Sequence, residues 1–280
     1  MRVPAAILMS GTGSNARKLI EYHSPHLDMR VIISDNPESN YRKIASAYGL
    51  DSELNDIYRF HGLKAPGGGL TPAERKSLRD RERRKAYDLE TDRILQAYGI
   101  KLIAAAGYDW IISPFLCRKY IIVNVHPGDL RVTDKKGKRK YVGLGWIPSA
   151  KAILNGERYV HSSTHLVNEH LDGGPIARVS CGVPINLPES ISRDNILPPG
   201  VSLEEVVRDI NEFSGRRFAG AIIYTHSKKL QEDLKRAGDW IEFPLTLHGI
   251  AGCMLQSRLV QTGEGSLQLD GKPVKDLFLA

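Results

Sequence analysis

The segment that decides the fold is AAILMSGTGSN, which occupies residues 5–15. An apolar run is followed by a turn with two glycines, and residues 16–22 then read ARKLIEY, which is typical of a helix. Glycines let the backbone turn sharply after a strand and bring several N–H groups to one point, which suits a phosphate. A tight turn without a ligand remains an alternative, because the third glycine of the dinucleotide fingerprint is missing.

The rest of the chain alternates short apolar runs with helical segments. Residues 29–34, 102–106 and 120–124 read as further strands, and residues 160–167 and 176–184 as later ones. Strands that alternate with helices indicate a parallel sheet that is covered on both faces. The predicted fold class is therefore α/β, a mostly parallel open sheet with helices on both faces.

Helical spacing and a change of character toward the C-terminus complete this prediction. One helix should begin in a basic run and bury the stripe formed by Tyr87, Ile94, Leu95 and Tyr98. Residues 202–235 read as mostly helical, with Ser202 as a cap. Alternating stretches from Leu245 onward, such as the strand-like run that starts at Met254, predict a small β-meander. We expect an α/β domain over residues 1–244 and a C-terminal β-rich extension over residues 245–280.

The composition is that of a globular protein, with 41% hydrophobic and 25% charged residues. The first apolar run is too short for a signal peptide and no later one could span a bilayer, so we expect a cytoplasmic protein. Cys117, Cys181 and Cys253 are odd in number and widely spaced, which favours reduced thiols over a disulfide framework or a metal knuckle.

The net charge of +7 is concentrated in two segments. Residues 74–85 hold seven basic and three acidic residues, and residues 135–140 hold five basic and no acidic ones. The second segment lies within residues 130–146, which read as a surface loop, as do the glycine-rich residues 63–70. The basic segments are interpreted either as solvated surface or as electropositive elements beside an anionic substrate.

Two further segments carry side chains suited to chemistry. Residues 123–128 read VNVHPG, so Asn124 and His126 lie two apart at the end of an apolar strand and point to the same side. Ligands of open α/β sheets bind at the carboxyl ends of the strands, which is where these two side chains fall. Residues 171–175 read LDGGP and place Asp172 in a turn before two glycines. Taken singly, each segment could be purely structural.

The order of these segments resembles the glycinamide ribonucleotide formyltransferase family. A strand that ends in SGTGSN is followed by AGY at residues 106–108, then NVHP at residues 124–127 and LDGGP at residues 171–175. The resemblance covers roughly residues 3–185 and weakens to about residue 225. It implies a Rossmann-like formyltransferase fold and the transfer of a formyl group from 10-formyltetrahydrofolate, as co-substrate, to the amine of a phosphorylated acceptor, most simply glycinamide ribonucleotide in purine biosynthesis.

The resemblance also implies roles for individual residues. The catalytic residues would be Asn124, His126 and Asp172. The acceptor would be bound by Gly11, Thr12, Gly13, Ser14, Asn15 and Arg84. The reduced folate would be held by Gly107, Tyr108, Asp109, Trp110, Ile111, Ile112, Asn168 and Glu169. The chemistry needs no metal, and we expect no membrane partner, no nucleic-acid partner and a monomer or homodimer.

The proposed chemistry explains why these residue types are needed. When an amine attacks the formyl carbon, the carbonyl oxygen becomes an oxyanion that Asn124 and a protonated His126 can stabilise. Asp172 would orient the imidazole and raise its pKa, so that the imidazolium is available near neutral pH. A zinc site built from His161, His165 and His170 is the metal alternative, but the spacing along a strand does not suit one ion.

The sequence departs from the family pattern on the acceptor side. Members that use glycinamide ribonucleotide usually continue SLLP after the His-Pro pair, whereas this chain has GDLR and the long basic insertion. The Glu-His pair of the family's late helix has no clean counterpart near residues 211–217, and the C-terminal meander is additional.

The formyl acceptor could instead be another nucleotide- or sugar-borne amine, and two rival functions remain as well. The first is a hydrolase that releases formate from the same folate; its known form carries a regulatory domain ahead of the core, for which we expect no room before Val3. The second is a non-enzymatic nucleotide- or RNA-binding module, but few aromatic residues accompany the basic ones as stacking platforms would require.

Overall fold

A computed structural model describes residues 1–63, 80–193, 195–212, 217–262 and 265–276 of the 280-residue chain. Of the predicted loop over residues 63–70 only Leu63 is described, and residues 74–79 of the first basic run lie outside the described part. Within the described ranges, no helix combines the length and the apolar character needed to cross a bilayer.

The elements follow the predicted alternation of strands and helices. The strands are β1 (Val3–Met9), β2 (Leu27–Ser34), β3 (Asp51–Leu54), β4 (Leu102–Ala105), β5 (Ile121–His126), β6 (Tyr159–Val160), β7 (Ser163–Leu166), β8 (Ile176–Val179), β9 (Val183–Pro184), β10 (Leu259–Gln261), β11 (Leu267–Leu269) and β12 (Lys272–Pro273). The helices are α1 (Ser14–Glu21), α2 (Tyr41–Tyr48), α3 (Ile57–Phe60), α4 (Arg81–Ala97), α5 (Pro114–Lys119), α6 (Ile147–Asn155), α7 (Leu203–Glu212), α8 (Ile222–Leu234) and α9 (Trp240–Leu255), and a π-helical turn, Lys235–Asp239, joins α8 to α9.

The main sheet has seven strands in the order β3-β2-β1-β4-β5-β7-β8. The first five are parallel, while β7 and β8 are antiparallel to their neighbours. The prediction of a mostly parallel sheet is confirmed. Because parallel strands run in one direction, the turn after β1 and the end of β5 lie along the same edge of the sheet, where such folds bind ligands.

Strand β1 contributes to the core on both faces of this sheet. Ala5, Ile7 and Met9 pack in a cluster with residues of α1, α2 and α9, whereas Ala6 and Leu8 pack with residues of α4 and α5. This alternation follows from the period of two along a strand, and it explains why β1 is apolar throughout. The helix predicted from the basic run is α4, and its Tyr87 and Leu95 are buried as expected.

The insertion over residues 130–146 is only partly a surface loop. Leu130, Tyr141 and Trp146 are buried, and the last two join a third cluster with residues of α6, α7 and α8. The prediction of a surface loop is wrong for these side chains, because a polar and basic average composition conceals a few large apolar residues that bury surface. The insertion is therefore anchored at both ends.

The C-terminal region begins with a helix rather than a strand. Helix α9 crosses the predicted boundary after residue 244, and β10, β11 and β12 form a small antiparallel sheet only from Leu259 onward. The expected small β-rich extension is present, but the strand predicted from Met254 is wrong. Buried residues 243, 247, 250 and 251 recur with helical spacing, and this period outweighs the short alternation after it. The division into two domains stays a prediction.

Candidate active site

Asn124 and His126 lie on β5 and point to the same face, as their spacing requires. In the antiparallel pairing with β7, Asn124 is opposite His165 and His126 is opposite Ser163. The Asp172 carboxylate approaches this pair from the following turn, with Oδ1 3.5 Å from His126 Nδ1 and 3.8 Å from His165 Nε2. The structure thus brings Asn124, His126 and Asp172 together around His165.

The turn that carries Asp172 has little freedom. Asp172 has a φ of 48°, which is uncommon for a residue other than glycine. At Gly174 an added Cβ would lie 1.8 Å from the carbonyl oxygen of Leu166, so only glycine fits there. The backbone of the LDGGP segment therefore folds tightly against the end of β7, which directs the carboxylate back toward β5.

The protonation of His126 follows from its two neighbours. Nε2 lies 2.7 Å from the carbonyl oxygen of Tyr141, which can only accept, so Nε2 carries a proton. Nδ1 faces Asp172, and that contact becomes attractive when Nδ1 is protonated as well. Burial lowers the pKa of His126, and the Asp172 carboxylate opposes that shift without overcoming it. The expectation of a pKa raised by Asp172 is wrong in net direction, because the ring is almost fully enclosed.

His165 lies in this site, although the sequence had pointed to it only in the alternative of a zinc site. Its Nδ1 donates to the carbonyl oxygen of Leu166 at 3.0 Å, so Nε2 is left to accept from the Asn124 amide at 3.2 Å. Burial lowers the pKa of His165 to about 4, and Asp172 raises it only in part. A neutral His165 therefore fixes the amide orientation of Asn124.

The glycine-rich turn connects the end of β1 to the segment after β4. Gly13 has a φ of 71° and an added Cβ would lie 2.3 Å from Ile44 Cδ1, so both conformation and space require glycine. Ser10 N donates to the carbonyl oxygen of Gly107, and Ser10 Oγ accepts from Asp109 N. Helix α1 begins at Ser14 without a side-chain cap or an acidic residue in its first turn, which leaves its N-terminal end suited to an anion.

Two buried carboxylates beside this turn were not predicted from the sequence. Asp239, in the π-helical turn, lies 3.4 Å from the Asn15 amide nitrogen through its Oδ2. Burial raises the pKa of Asp239 to about 6, while the hydroxyl of Ser162 and the amide of Asn15 favour ionisation. Asp35 directly follows β2, and burial raises its pKa to about 7. In the sequence, Asp239 stands out only as a charged residue next to an apolar stretch. The contact with Asn15 cannot be predicted, because 224 positions separate the two residues.

Arg84 is held in the interior instead of facing an open cleft. Only 5% of the residue is exposed, and its Nη2 donates to Tyr108 Oη at 2.6 Å and pairs with Asp88 at 2.9 Å. Its guanidinium also lies over the ring of Tyr87. This geometry suits a residue that positions Tyr108, and it does not favour the predicted contact between Arg84 and an acceptor.

The residues predicted to hold the folate occupy two segments at the same edge of the sheet. In the first, Gly107 has a φ of 77°, Ile112 is buried, Ile111 is exposed and the ring of Trp110 packs edge-on against Tyr58. The other members of this segment are Tyr108 and Asp109, described above.

The second segment precedes Asp172. The side chain of Asn168 accepts from the backbone N–H of His170 at 3.0 Å, which shapes the turn. Glu169 is exposed and pairs with Arg118 at 3.0 Å on the surface. Glu169 is therefore directed away from the reacting centre in this arrangement.

The comparisons with known proteins give the following relatives. A family model described as formyl transferase matches residues 3–191. The chain is 31% identical over 191 residues to the trifunctional purine biosynthetic protein adenosine-3 of Drosophila melanogaster, a match that spans 66% of this chain and 12% of that protein. It is 27% identical over 172 residues to the phosphoribosylglycinamide formyltransferase of Escherichia coli, spanning 61% of this chain and 68% of that one.

A solved structure shows the same fold. The phosphoribosylglycinamide formyltransferase of Anaplasma phagocytophilum superposes with a TM-score of 0.58 at 19% identity, covering 100% of both chains. The aligned span includes the C-terminal sheet. The fold is that of an α/β enzyme, and because the family model matches well over half of the sequence, the chain belongs to the formyl transferase family.

Proposed function

We propose that this protein transfers the formyl group of 10-formyltetrahydrofolate to the amine of glycinamide ribonucleotide. The observation that carries the proposal is the contact of Asp172 with His126, next to Asn124, at the carboxyl end of β5. The glycine-rich turn lies along the same sheet edge and offers a phosphate site. The enzyme from Escherichia coli that shares 27% identity is named for this acceptor.

The reaction needs an oxyanion stabiliser and a route for one proton. The acceptor nitrogen forms a bond to the formyl carbon, and the carbonyl oxygen takes up the negative charge. The Asn124 amide donates a hydrogen bond to that oxygen, and this bond strengthens as the negative charge grows. The neutral Nδ1 of His126 takes the proton that the acceptor nitrogen loses, the bond from the formyl carbon to N10 breaks, and N10 receives that proton as it leaves. Asp172 stabilises the imidazolium during these steps.

The two substrates occupy different parts of the edge in this proposal. The folate ring lies against residues 107–112 and the turn over residues 168–172. The acceptor phosphate binds backbone N–H groups of residues 11–15, and Asp239 beside Asn15 accepts from the amine or a sugar hydroxyl. A cytoplasmic location and a monomeric or homodimeric state stay predictions from the sequence.

The proposal is tested with a panel of amines supplied with 10-formyltetrahydrofolate, following deformylated folate by absorbance. We expect glycinamide ribonucleotide to have the highest kcat/KM and its dephosphorylated form to be at least about tenfold poorer, as loss of a charge-assisted phosphate contact implies. In Asp239→Asn the acceptor KM should rise while the folate KM is kept. A neutral amine as the best substrate, or folate turnover without any amine, would contradict this assignment.

A further inference from the structure

The basic insertion contains a short hairpin that presents one arginine inward. Lys140 N donates to the carbonyl oxygen of Val132, and Thr133 pairs with Arg139 in an antiparallel bridge. The hairpin turns at Asp134, whose side chain accepts from two backbone N–H groups of the turn. The four lysines of residues 135–140 are exposed, whereas Arg139, between Lys138 and Lys140 on the returning strand, is turned toward the protein body.

The guanidinium of Arg139 binds the backbone of the turn that carries Asp172. Nη1 donates to the carbonyl oxygen of Asp172, and Nη2 donates to the carbonyl oxygen of Gly174 at 2.9 Å. A planar guanidinium can hold two oxygens at once in a fixed geometry, which a lysine cannot. Arg139 thus fixes the backbone on both sides of Gly173 without touching the carboxylate that faces His126.

The C-terminal extension adds a second hold on the same turn. Asp276 accepts a hydrogen bond from Ile176 N at 2.9 Å, two residues after Gly174. Burial lowers the pKa of Arg139, and the nearby carboxylates of Asp276 and Asp172 oppose that shift. The insertion and the extension therefore meet at the turn of Asp172, although 137 positions separate Arg139 from Asp276.

The turn needs such support because its conformation is strained. Asp172 has a φ of 48° and lies in the left-handed region, which is unfavourable for a residue other than glycine. If the two carbonyl oxygens lost their donor, the backbone could relax and move the carboxylate away from the imidazole.

We infer that Arg139 is a positioning residue for the formyl-transfer reaction, holding the Asp172 turn so that its carboxylate stays against His126. This inference rests on the proposed function for its kinetic consequence only. The geometric part, a displacement of Asp172 from His126, is independent of which substrate the protein uses.

The kinetic test compares Arg139→Ala and Arg139→Lys with the parent, using glycinamide ribonucleotide and 10-formyltetrahydrofolate. We expect kcat to fall roughly 10- to 100-fold in Arg139→Ala, the scale of a misplaced catalytic group, with little change in either KM. Arg139→Lys should be intermediate, because one ammonium reaches one carbonyl oxygen. Added guanidinium ion should restore part of the kcat of Arg139→Ala. Arg93→Ala, which removes an exposed arginine of α4, is the matched control and should keep the parent kcat.

The second test follows the titration of His126 by NMR and needs no substrate. The groups that face His126 are the carboxylate of Asp172, the carbonyl oxygen of Tyr141, the charges of Arg139 and Lys151, and the neighbouring His165. Arg139 itself lowers the pKa of His126, and Asp172 raises it more strongly. If Arg139 acts only as a charge, the His126 pKa rises in Arg139→Ala; if Arg139 holds Asp172 in place, the pKa falls.

The two tests separate the inference from the proposed function. A lower His126 pKa in Arg139→Ala supports the inference even if the parent turns over no glycinamide ribonucleotide. An unchanged or higher His126 pKa overturns it. So does an unchanged kcat in Arg139→Ala, provided that the parent turns over glycinamide ribonucleotide. If Arg139→Ala does not fold, the same two measurements on Arg139→Lys decide, with a smaller fall in both quantities expected.

Discussion

A buried imidazole that accepts a hydrogen bond must stay neutral to do so, and His165 is such a group. Its Nε2 accepts from Asn124, while its Nδ1 proton is used by a backbone carbonyl oxygen. If Nε2 were protonated, two N–H groups would face each other and the hydrogen bond to the Asn124 amide would be lost. The oxyanion-stabilising orientation of Asn124 thus depends on the low pKa of a residue that does not itself contact the formyl group in the proposed reaction.

This dependence gives a stability prediction with a definite sign. The pKa of His165 is about 4 in the folded protein, against about 6.5 for an unfolded histidine. Between these values the unfolded chain binds a proton that the folded one does not, so the stabilisation is complete above about pH 6.5 and declines toward pH 4. The free energy of unfolding of the parent relative to His165→Gln should therefore shrink on acidification.

Chemical denaturation of both proteins at several pH values between about 7 and 5 measures this difference. Comparing the two proteins cancels the other titrating groups, including Asp35 and Asp239, whose raised pKa values act in the opposite direction. A difference that stays constant over this range would show that His165 is not held neutral by the fold.

At the level of secondary-structure elements, the insertion after β5 forms part of the candidate active site. The carbonyl oxygen of Tyr141 accepts a hydrogen bond from Nε2–H of His126. This oxygen packs directly against Gly128. A Cβ at Gly128 would lie 2.3 Å from that oxygen and 3.0 Å from His126 Nε2. Where family members usually continue SLLP after the His-Pro pair, this chain has Gly128. A glycine at that position makes room for the Tyr141 backbone of the insertion.

We expect Gly128→Ala to move the Tyr141 carbonyl and to loosen His126. Overpacking at such a site costs about 1–3 kcal/mol of stability, and kcat should fall because the imidazole loses its fixed orientation. Thermal unfolding and steady-state kinetics report the two effects. Gly220→Ala is the control, since an added Cβ there meets nothing within 4 Å and the backbone needs no positive φ. Equal behaviour of the two variants would refute the tight approach.

The sequence predicted the elements well where one period dominated. Apolar runs with glycine turns gave β1, β4 and β5 because parallel strands are buried on both faces. The shared face of Asn124 and His126 followed from the period of two, and their grouping with Asp172 followed from the resemblance. Three features could not be predicted: the contacts of Arg139, the hydrogen bond to the Tyr141 carbonyl oxygen and the pairing of His165 with Asn124. Each depends on how an insertion or a neighbouring strand packs on β5.

At the level of the whole molecule, contacts between distant segments and the orientation of charged side chains depend on packing that the sequence alone does not show. Asn15 and Asp239 meet across 224 positions because α9 packs against α1, and the π-helical turn before α9 directs the carboxylate inward. The sequence carries no local signal for such a contact. Of the basic residues in the insertion, only Arg139 is turned inward, while the lysines at positions 135, 136, 138 and 140 face solvent.

These exposed lysines should act over a distance on an anionic substrate. Replacing all four by glutamine should lower kcat/KM severalfold at low ionic strength with kcat kept, and the difference should vanish at high salt, because screening removes long-range attraction. Steady-state kinetics over a salt series measures this. Lys101→Gln, at the opposite edge of the sheet just before β4, should show no salt-dependent change. A salt-independent loss would assign the lysines a direct contact instead.

In the proposed reaction the residues around His126 pass a formyl group from folate to an amine. The most direct measurement follows a labelled formyl group of 10-formyltetrahydrofolate in the presence of glycinamide ribonucleotide, in the parent and in Asp172→Asn and His126→Ala. We predict that the label appears on the acceptor in step with deformylated folate, and that both variants remain folded but turn over roughly 100-fold more slowly. Label recovered as free formate at the same rate with or without the acceptor, or variants as active as the parent, would contradict the account.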